Sequence, residues 1–183
     1  MKVLKKVSLG LLSLIVLLTV VGLFLPREVH VERSLTIEAA PAAIFTEINT
    51  VRNWSRWSPW HGLDPNMQIV FSGPAAGEGA SYSWTSQKPN VGNGQLFVTA
   101  SQPYQRIDTR MEFDGSSTAT SIYLLRPSAD GTHVTWTMDT DMGFNPACRY
   151  MGLVLDHLVG PDFEKGLANL QKLLETPQAT ARR

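Results

Sequence analysis

The segment Asn145–Glu175, NPACRYMGLVLDHLVGPDFEKGLANLQKLLE, decides how the rest of the chain is read. Asn145 followed by Pro146 is a helix start: a side-chain cap, then a residue whose fixed φ and missing N–H suit the first turn. Phe163, Leu167, Leu170 and Leu174 recur at helical spacing and form one apolar stripe. Met151, Leu155 and Leu158 form another, rotated from the first by about a quarter to a third of a turn at ~100° per residue. Between them lies Gly160-Pro161-Asp162, where the lost backbone donor is expected to kink or restart the helix. The second half reads as core, and the first half as the side on which a cavity would open.

Upstream of this helix, six runs read as strands separated by turn residues. Met67, Ile69 and Phe71 alternate before Ser72-Gly73-Pro74, and Ala80, Tyr82 and Trp84 after Gly77-Glu78-Gly79. Leu96, Val98 and Ala100 follow Gly92-Asn93-Gly94, and Ile107, Thr109, Met111 and Phe113 alternate with charged neighbours. The run from Thr118 to Arg126 is less one-sided, whereas Val134, Trp136 and Met138 alternate cleanly with polar residues. Short connections between one-faced strands imply an antiparallel meander with a dry face. That face needs a cover, and the C-terminal helix is the amphipathic element left to supply it.

Further upstream, Glu28 to Glu38 alternates as a half-buried strand, with Val29, Val31, Leu35 and Ile37 on one face. Arg33 is the exception on that face, either a pocket residue or an ion-paired arginine. Pro41 to Asn49 fits a short helix burying Ile44, Phe45 and Ile48. Trp54, Trp57 and Trp60 follow at three-residue spacing. The first two read as core packing, while Trp60, beyond Pro59, is the one placed to reach a cavity.

The 183 residues suit one domain with a full core, and 16 Lys+Arg against 16 Asp+Glu give no argument for a nucleic-acid partner. Cys148 is the single cysteine, so no internal disulfide forms, and it reads as a small buried thiol rather than a reactive one. Val7 to Leu25 is an uncharged apolar run of bilayer length preceded by Lys2, Lys5 and Lys6. It reads as a retained signal-anchor, with a cleaved signal as the alternative. The lysines place the N-terminus in the cytoplasm and the domain on the periplasmic or extracellular side, although Arg27 and Arg33 on the far side count against that orientation. The expected organisation is a cytoplasmic segment at 1–6, a transmembrane helix at 7–25, a domain at 28–175 and a flexible polar tail at 176–183.

The order of elements resembles the helix-grip fold of the START-like (SRPBCC) superfamily, specifically the polyketide cyclase/dehydrase and lipid-transport family. The residues that carry the resemblance are VERSLTIEAAPAAIFTEI, NWSRWSPW, SGPAAGEGASYSW, the VGNGQ turn and GPDFEKGLANL. It implies an α+β helix-grip fold: a curved antiparallel seven-stranded sheet wrapped around a long C-terminal helix, here with an N-terminal transmembrane helix added. It also implies a hydrophobic ligand, since the family consists mostly of binders with cyclases, dehydratases and other enzymes among them. The family has no shared catalytic motif, so no catalytic residue carries over.

A direct search for chemistry is mostly negative. His30, His61, His133 and His157 show no zinc-ligand spacing. His30 and His133 fall on the wet faces of their strands, and His61, after the tryptophan turn, is the residue to test as an acid or base. Asp139, Asp141 and Asn145 lack the glycine and terminal glutamate of a calcium loop. The two Gly-x-Gly turns join strands and are hairpin turns, not phosphate loops. No cofactor or metal is expected. The candidate pocket residues are Arg33, Trp60, Tyr82, Trp84, Met111, Trp136 and Leu155. The function expected is a membrane-tethered binder of a hydrophobic small molecule or lipid, with no protein partner specified. A cyclase- or hydrolase-type enzyme and an envelope interaction module without a ligand are the alternatives.

Overall fold

The computed structural model describes residues 2–89, 91–114 and 118–176. Beyond Thr176, the expected tail lies outside them. Helix α1 (Lys2–Phe24) is followed by strand β1 (Glu28–Ile37), helix α2 (Pro41–Asn49), a 3₁₀ segment (Val51–Arg56) and the short helix α3 (Pro59–Leu63). Strands β2 (Gln68–Ser72), β3 (Ser81–Thr85), β4 (Gly94–Gln102), β5 (Arg106–Phe113), β6 (Thr118–Ser128) and β7 (Gly131–Asp141) lead into helix α4 (Pro146–Glu175). All seven strands form one antiparallel sheet in the order β1-β7-β6-β5-β4-β3-β2. The segment from α2 to α3 carries the chain from one edge strand to the other, and α4 covers the dry face. This is the expected α+β helix-grip architecture.

The start of α4 is capped as its sequence dictates: Asn145 Oδ1 accepts from the Ala147 N–H at 3.0 Å, with Pro146 opening the helix. The expected kink or restart at Gly160-Pro161 does not interrupt the element, which runs as one helix of 30 residues with Pro161 inside it. Pro161 leaves the His157 carbonyl without its helical donor. Gly160 stands where the helix passes over β1. A Cβ built there would stand 2.0 Å from Arg33 Nη2, so the absent side chain makes room for a guanidinium.

Arg33 reaches across from β1 into that space. Its Nη1 and Nη2 donate to the two oxygens of Asp156 at 2.8 and 3.1 Å, and its Nε donates to Glu164 at 2.8 Å. Asp156, Gly160 and Glu164 are spaced four residues apart and therefore share one helix face. Both carboxylates hold the Arg33 pKa above its ordinary value, Asp156 contributing more.

The second half of α4 is core as expected, with Phe163, Leu167 and Leu170 buried. Trp136 of β7 lies flat on Phe163, ring centroids 4.0 Å apart and planes within 9°. Gly166 permits this approach, because a Cβ there would meet Trp136 Cζ3 at 2.7 Å. Trp54 and Trp57 are buried beside it, and both indoles donate to the last carbonyls of α2: Trp54 to Ile48 at 2.7 Å and Trp57 to Glu47 at 3.3 Å. The helix terminus thereby satisfies its own unpaired acceptors and the two buried N–H groups together.

Two sequence readings need correction. Strand β6 is one-sided after all: Ala119, Ser121, Tyr123 and Leu125 are buried in strict alternation. Ile122 and Leu124 on the outer face, and the polar Ser121 on the inner one, concealed the period. Cys148 is exposed rather than buried.

Candidate functional site

α4 meets β1 at Arg33 and β7 at Trp136, but over the middle strands its first half stands off the sheet. The gap is a cavity of about 660 Å³ between the first half of α4, α3 and the inner face of the sheet. Its size falls within the ~300–1,000 Å³ of small-molecule sites. The floor is made of inward positions on successive strands: Trp84 of β3, Leu96 of β4, Met111 of β5, Ala119 of β6 and Met138 of β7. Leu155, Leu158 and Val159 of α4 close one side, and Trp60, His61 and Leu63 of α3 another.

Of the candidate pocket residues, Trp60, Tyr82, Trp84, Met111 and Leu155 line this cavity. Arg33 and Trp136 do not. Arg33 is held on the far side of α4 by its two carboxylates, and Trp136 is sealed beneath Phe163 at 1% exposure. Met142 and Asp162 are among the wall residues outside the candidate set. Met142 is legible in the sequence, since Met138, Thr140 and Met142 continue the period-two inward set of β7, whereas Asp162 reads there only as part of a helix breaker.

The lining is apolar except for a few groups. The Tyr82 phenol is buried, and burial pushes its pKa up, so the hydroxyl stays protonated and able to donate. His61 presents its ring 6.5 Å from that of Tyr82, and its Nδ1 is buried with no hydrogen-bond partner among the described residues. Burial lowers the His61 pKa below its ordinary value, so the ring is neutral at pH 7. Asp162 and Thr140 complete the polar points of the wall. Among the described residues, no group of three or more His, Cys, Asp or Glu side chains is placed to hold a metal ion. His30 and His133 lie elsewhere, His30 on Asp139 at 2.7 Å and His133 on Thr36 at 3.1 Å.

The depressed His61 pKa sets a pH dependence with a definite sign. An unfolded chain takes up the proton at the ordinary histidine value, while the folded chain resists until lower pH. Stability contributed by neutral His61 is therefore present above the ordinary value and lost as pH falls through the folded one. The imidazole resonances should titrate below the unfolded midpoint in an NMR series. The acid-induced loss of thermal stability should be smaller in His61→Gln than in the parent chain. A midpoint at or above the free value would mean that the ring is solvated and not part of a dry wall.

A long helix gripped by a seven-stranded antiparallel sheet, with an apolar cavity between them, defines the helix-grip class of ligand-cavity proteins. The chain belongs to the polyketide cyclase / dehydrase and lipid transport family, which it matches over residues 28–175. A protein of unknown function from Staphylococcus aureus has the same fold, with a TM-score of 0.62 at 11% identity over 81% of this chain and 94% of that one. One from Rhizobium leguminosarum aligns with a TM-score of 0.59 at 15% identity, covering 81% of this chain and 95% of that one. A di-domain aromatase/cyclase of the steffimycin biosynthetic pathway aligns with a TM-score of 0.61 at 11% identity, covering 81% of this chain and 52% of that one. No curated protein matches the sequence.

Proposed function

We propose that this domain binds a hydrophobic small molecule or lipid in the cavity between sheet and α4, without chemistry, while α1 tethers it to a membrane. The observation that carries the reading is the cavity itself: about 660 Å³, apolar on most sides, with Tyr82 and His61 as polar points able to orient a head group. Apolar burial supplies affinity at about 25 cal/mol per Å². Membership of a family of cyclases, dehydratases and lipid carriers agrees with such a ligand.

The tether rests on α1, whose most apolar 18-residue window within Val3–Phe24 has a mean hydropathy of 2.6 and is only 6% buried in the protein. Its length and the lysines before it fit a span with the N-terminus in the cytoplasm and the domain on the periplasmic or extracellular side. Retention of the segment is favoured by its contacts with the domain, since Arg149 donates to the Leu23 and Leu25 carbonyls. A cleaved chain would leave that buried guanidinium without those acceptors.

Native mass spectrometry of the full chain, released gently from its membrane fraction, tests both parts. The expected spectrum shows an intact N-terminal segment and a bound apolar compound in the lipid mass range. A chain shortened near Pro26 would refute the anchor, and a protein that never retains or takes up an apolar compound would refute the binder. The alternative of an enzyme is favoured by one observation, the neutral, unpartnered Nδ1 of His61 beside the cavity. Conversion of the bound compound by the purified chain would shift the reading to catalysis.

A further inference from the structure

The first half of α4 has an apolar face that the domain does not cover. Met151, Val154 and Leu158, a helical stripe, are 53%, 47% and 58% exposed, Leu153 beside them is 57% exposed, and Phe144 just before the helix is 73% exposed. A soluble surface rarely gathers so many large apolar side chains without something to cover them.

The helix that packs beside this face is α1, and it identifies the cover. Tyr150 donates its hydroxyl to the Leu18 carbonyl at 2.9 Å, Arg149 donates to the carbonyls of Leu23 and Leu25, and a Cβ on Gly22 would lie 2.7 Å from Pro146 Cβ. The first turns of α4 therefore run beside the last turns of α1. A helix rises ~1.5 Å per residue, so Leu18 lies about 9 Å short of the end of α1 at Phe24. Interfacial helices bury their apolar faces about 5–10 Å into a membrane. Arg27 lies over the Phe144 ring, 4.3 Å from its centroid, which sets a cation and an aromatic ring just beyond the end of α1.

The same face leads to the cavity. Leu158 belongs both to the exposed stripe and to the cavity wall, and Met142, whose N–H donates to the Arg27 carbonyl at 2.8 Å, lines the cavity beside the α1–β1 junction. We infer that the first half of α4 lies in the outer leaflet of the bilayer that α1 spans, so that the cavity opens onto lipid. The ligand is then a membrane-resident amphiphile that enters sideways, along Val154 and Leu158, without crossing water. This rests on reading α1 as a membrane span.

Fluorescent labels on single cysteines test it in the full chain, reconstituted in phosphatidylcholine/phosphatidylglycerol vesicles with nitroxide-bearing acyl chains. In a Cys148→Ala background the sites are Val154→Cys and Leu158→Cys on α4, Ser13→Cys inside α1, and Thr120→Cys on the outer face of β6. The label at Ser13→Cys should be strongly quenched, and those at Val154→Cys and Leu158→Cys several-fold more than at Thr120→Cys. Quenching at Ser13→Cys alone, with the α4 labels matching Thr120→Cys, would overturn the leaflet contact and leave the span standing. No quenching at any site would overturn both. Disulfide-linked dimers through Val154→Cys or Leu158→Cys, without lipid quenching, would assign the face to a second copy of the chain. Circular dichroism of each variant verifies that the fold is retained.

Discussion

Phe163→Ala should lower the free energy of unfolding by about 3–5 kcal/mol, the range for truncating a fully buried aromatic residue. Phe163 is wholly buried, stacked on Trp136 at 4.0 Å and met edge-on by Trp60 at 6.3 Å. Removing the ring takes away the surface on which Trp136 lies. Because Trp136 is itself enclosed by Trp57 and Tyr123, collapse into the space is limited and most of the cavity penalty remains. The measurement is chemical denaturation of the detergent-solubilised chain, followed by near-ultraviolet circular dichroism of the tryptophans. Leu158→Ala is the counterpart: the residue is 58% exposed, and its truncation should change stability by less than about 0.5 kcal/mol. Similar losses at the two positions would refute the division of α4 into a core half and a cavity half.

Ala119→Trp should remove most of the ligand affinity while leaving the fold intact. Ala119 sits on the cavity floor between Met111 and Thr140, where an indole would extend into open space rather than into packed side chains. Overpacking a filled core costs about 1–3 kcal/mol, but a ring entering a cavity avoids most of that cost. Each ~100 Å² of ligand surface denied to the wall loses about 2.5 kcal/mol, so binding should weaken by roughly 50–100-fold. Binding is read by displacement of an environment-sensitive fatty-acid probe, and stability by thermal unfolding. A variant that loses stability and keeps its binding would show that this part of the wall is packed and that the ligand lies elsewhere.

The separate fates of Arg33 and Trp136 indicate where sequence reading reaches its limit. Both stand on the inner face of their strands, and Arg33 pairs with Trp136 in the β1–β7 register. Alternation assigns a residue to a face, and it did so correctly for both. It does not say what part of the helix passes over that point. Above Arg33 passes Gly160, flanked by Asp156 and Glu164; above Trp136 pass Phe163 and Gly166. The glycines of α4 thus mark where helix and sheet touch, and the cavity begins where the helix bears leucines instead. Strand β6 gives the same lesson from the sheet side, because outward Ile122 and Leu124 concealed a face that its partners define.

Local chemistry alone determined the capped start of α4, the strand alternation, the long uncharged apolar segment and, through them, the helix-grip order. These follow from periodicity and backbone preference, which act over neighbouring residues. The closed Trp136 position, the Arg33 seat on Gly160 and the contacts of Arg149 and Tyr150 with α1 were decided only by the tertiary structure. The Arg33, Arg149 and Tyr150 contacts each join residues more than a hundred positions apart, and the Trp136 stack joins a strand to a helix; no local pattern encodes either. The opening segment, Asn145–Glu175, is one capped helix with two uses: its second half packs on the sheet, and its first half walls the cavity.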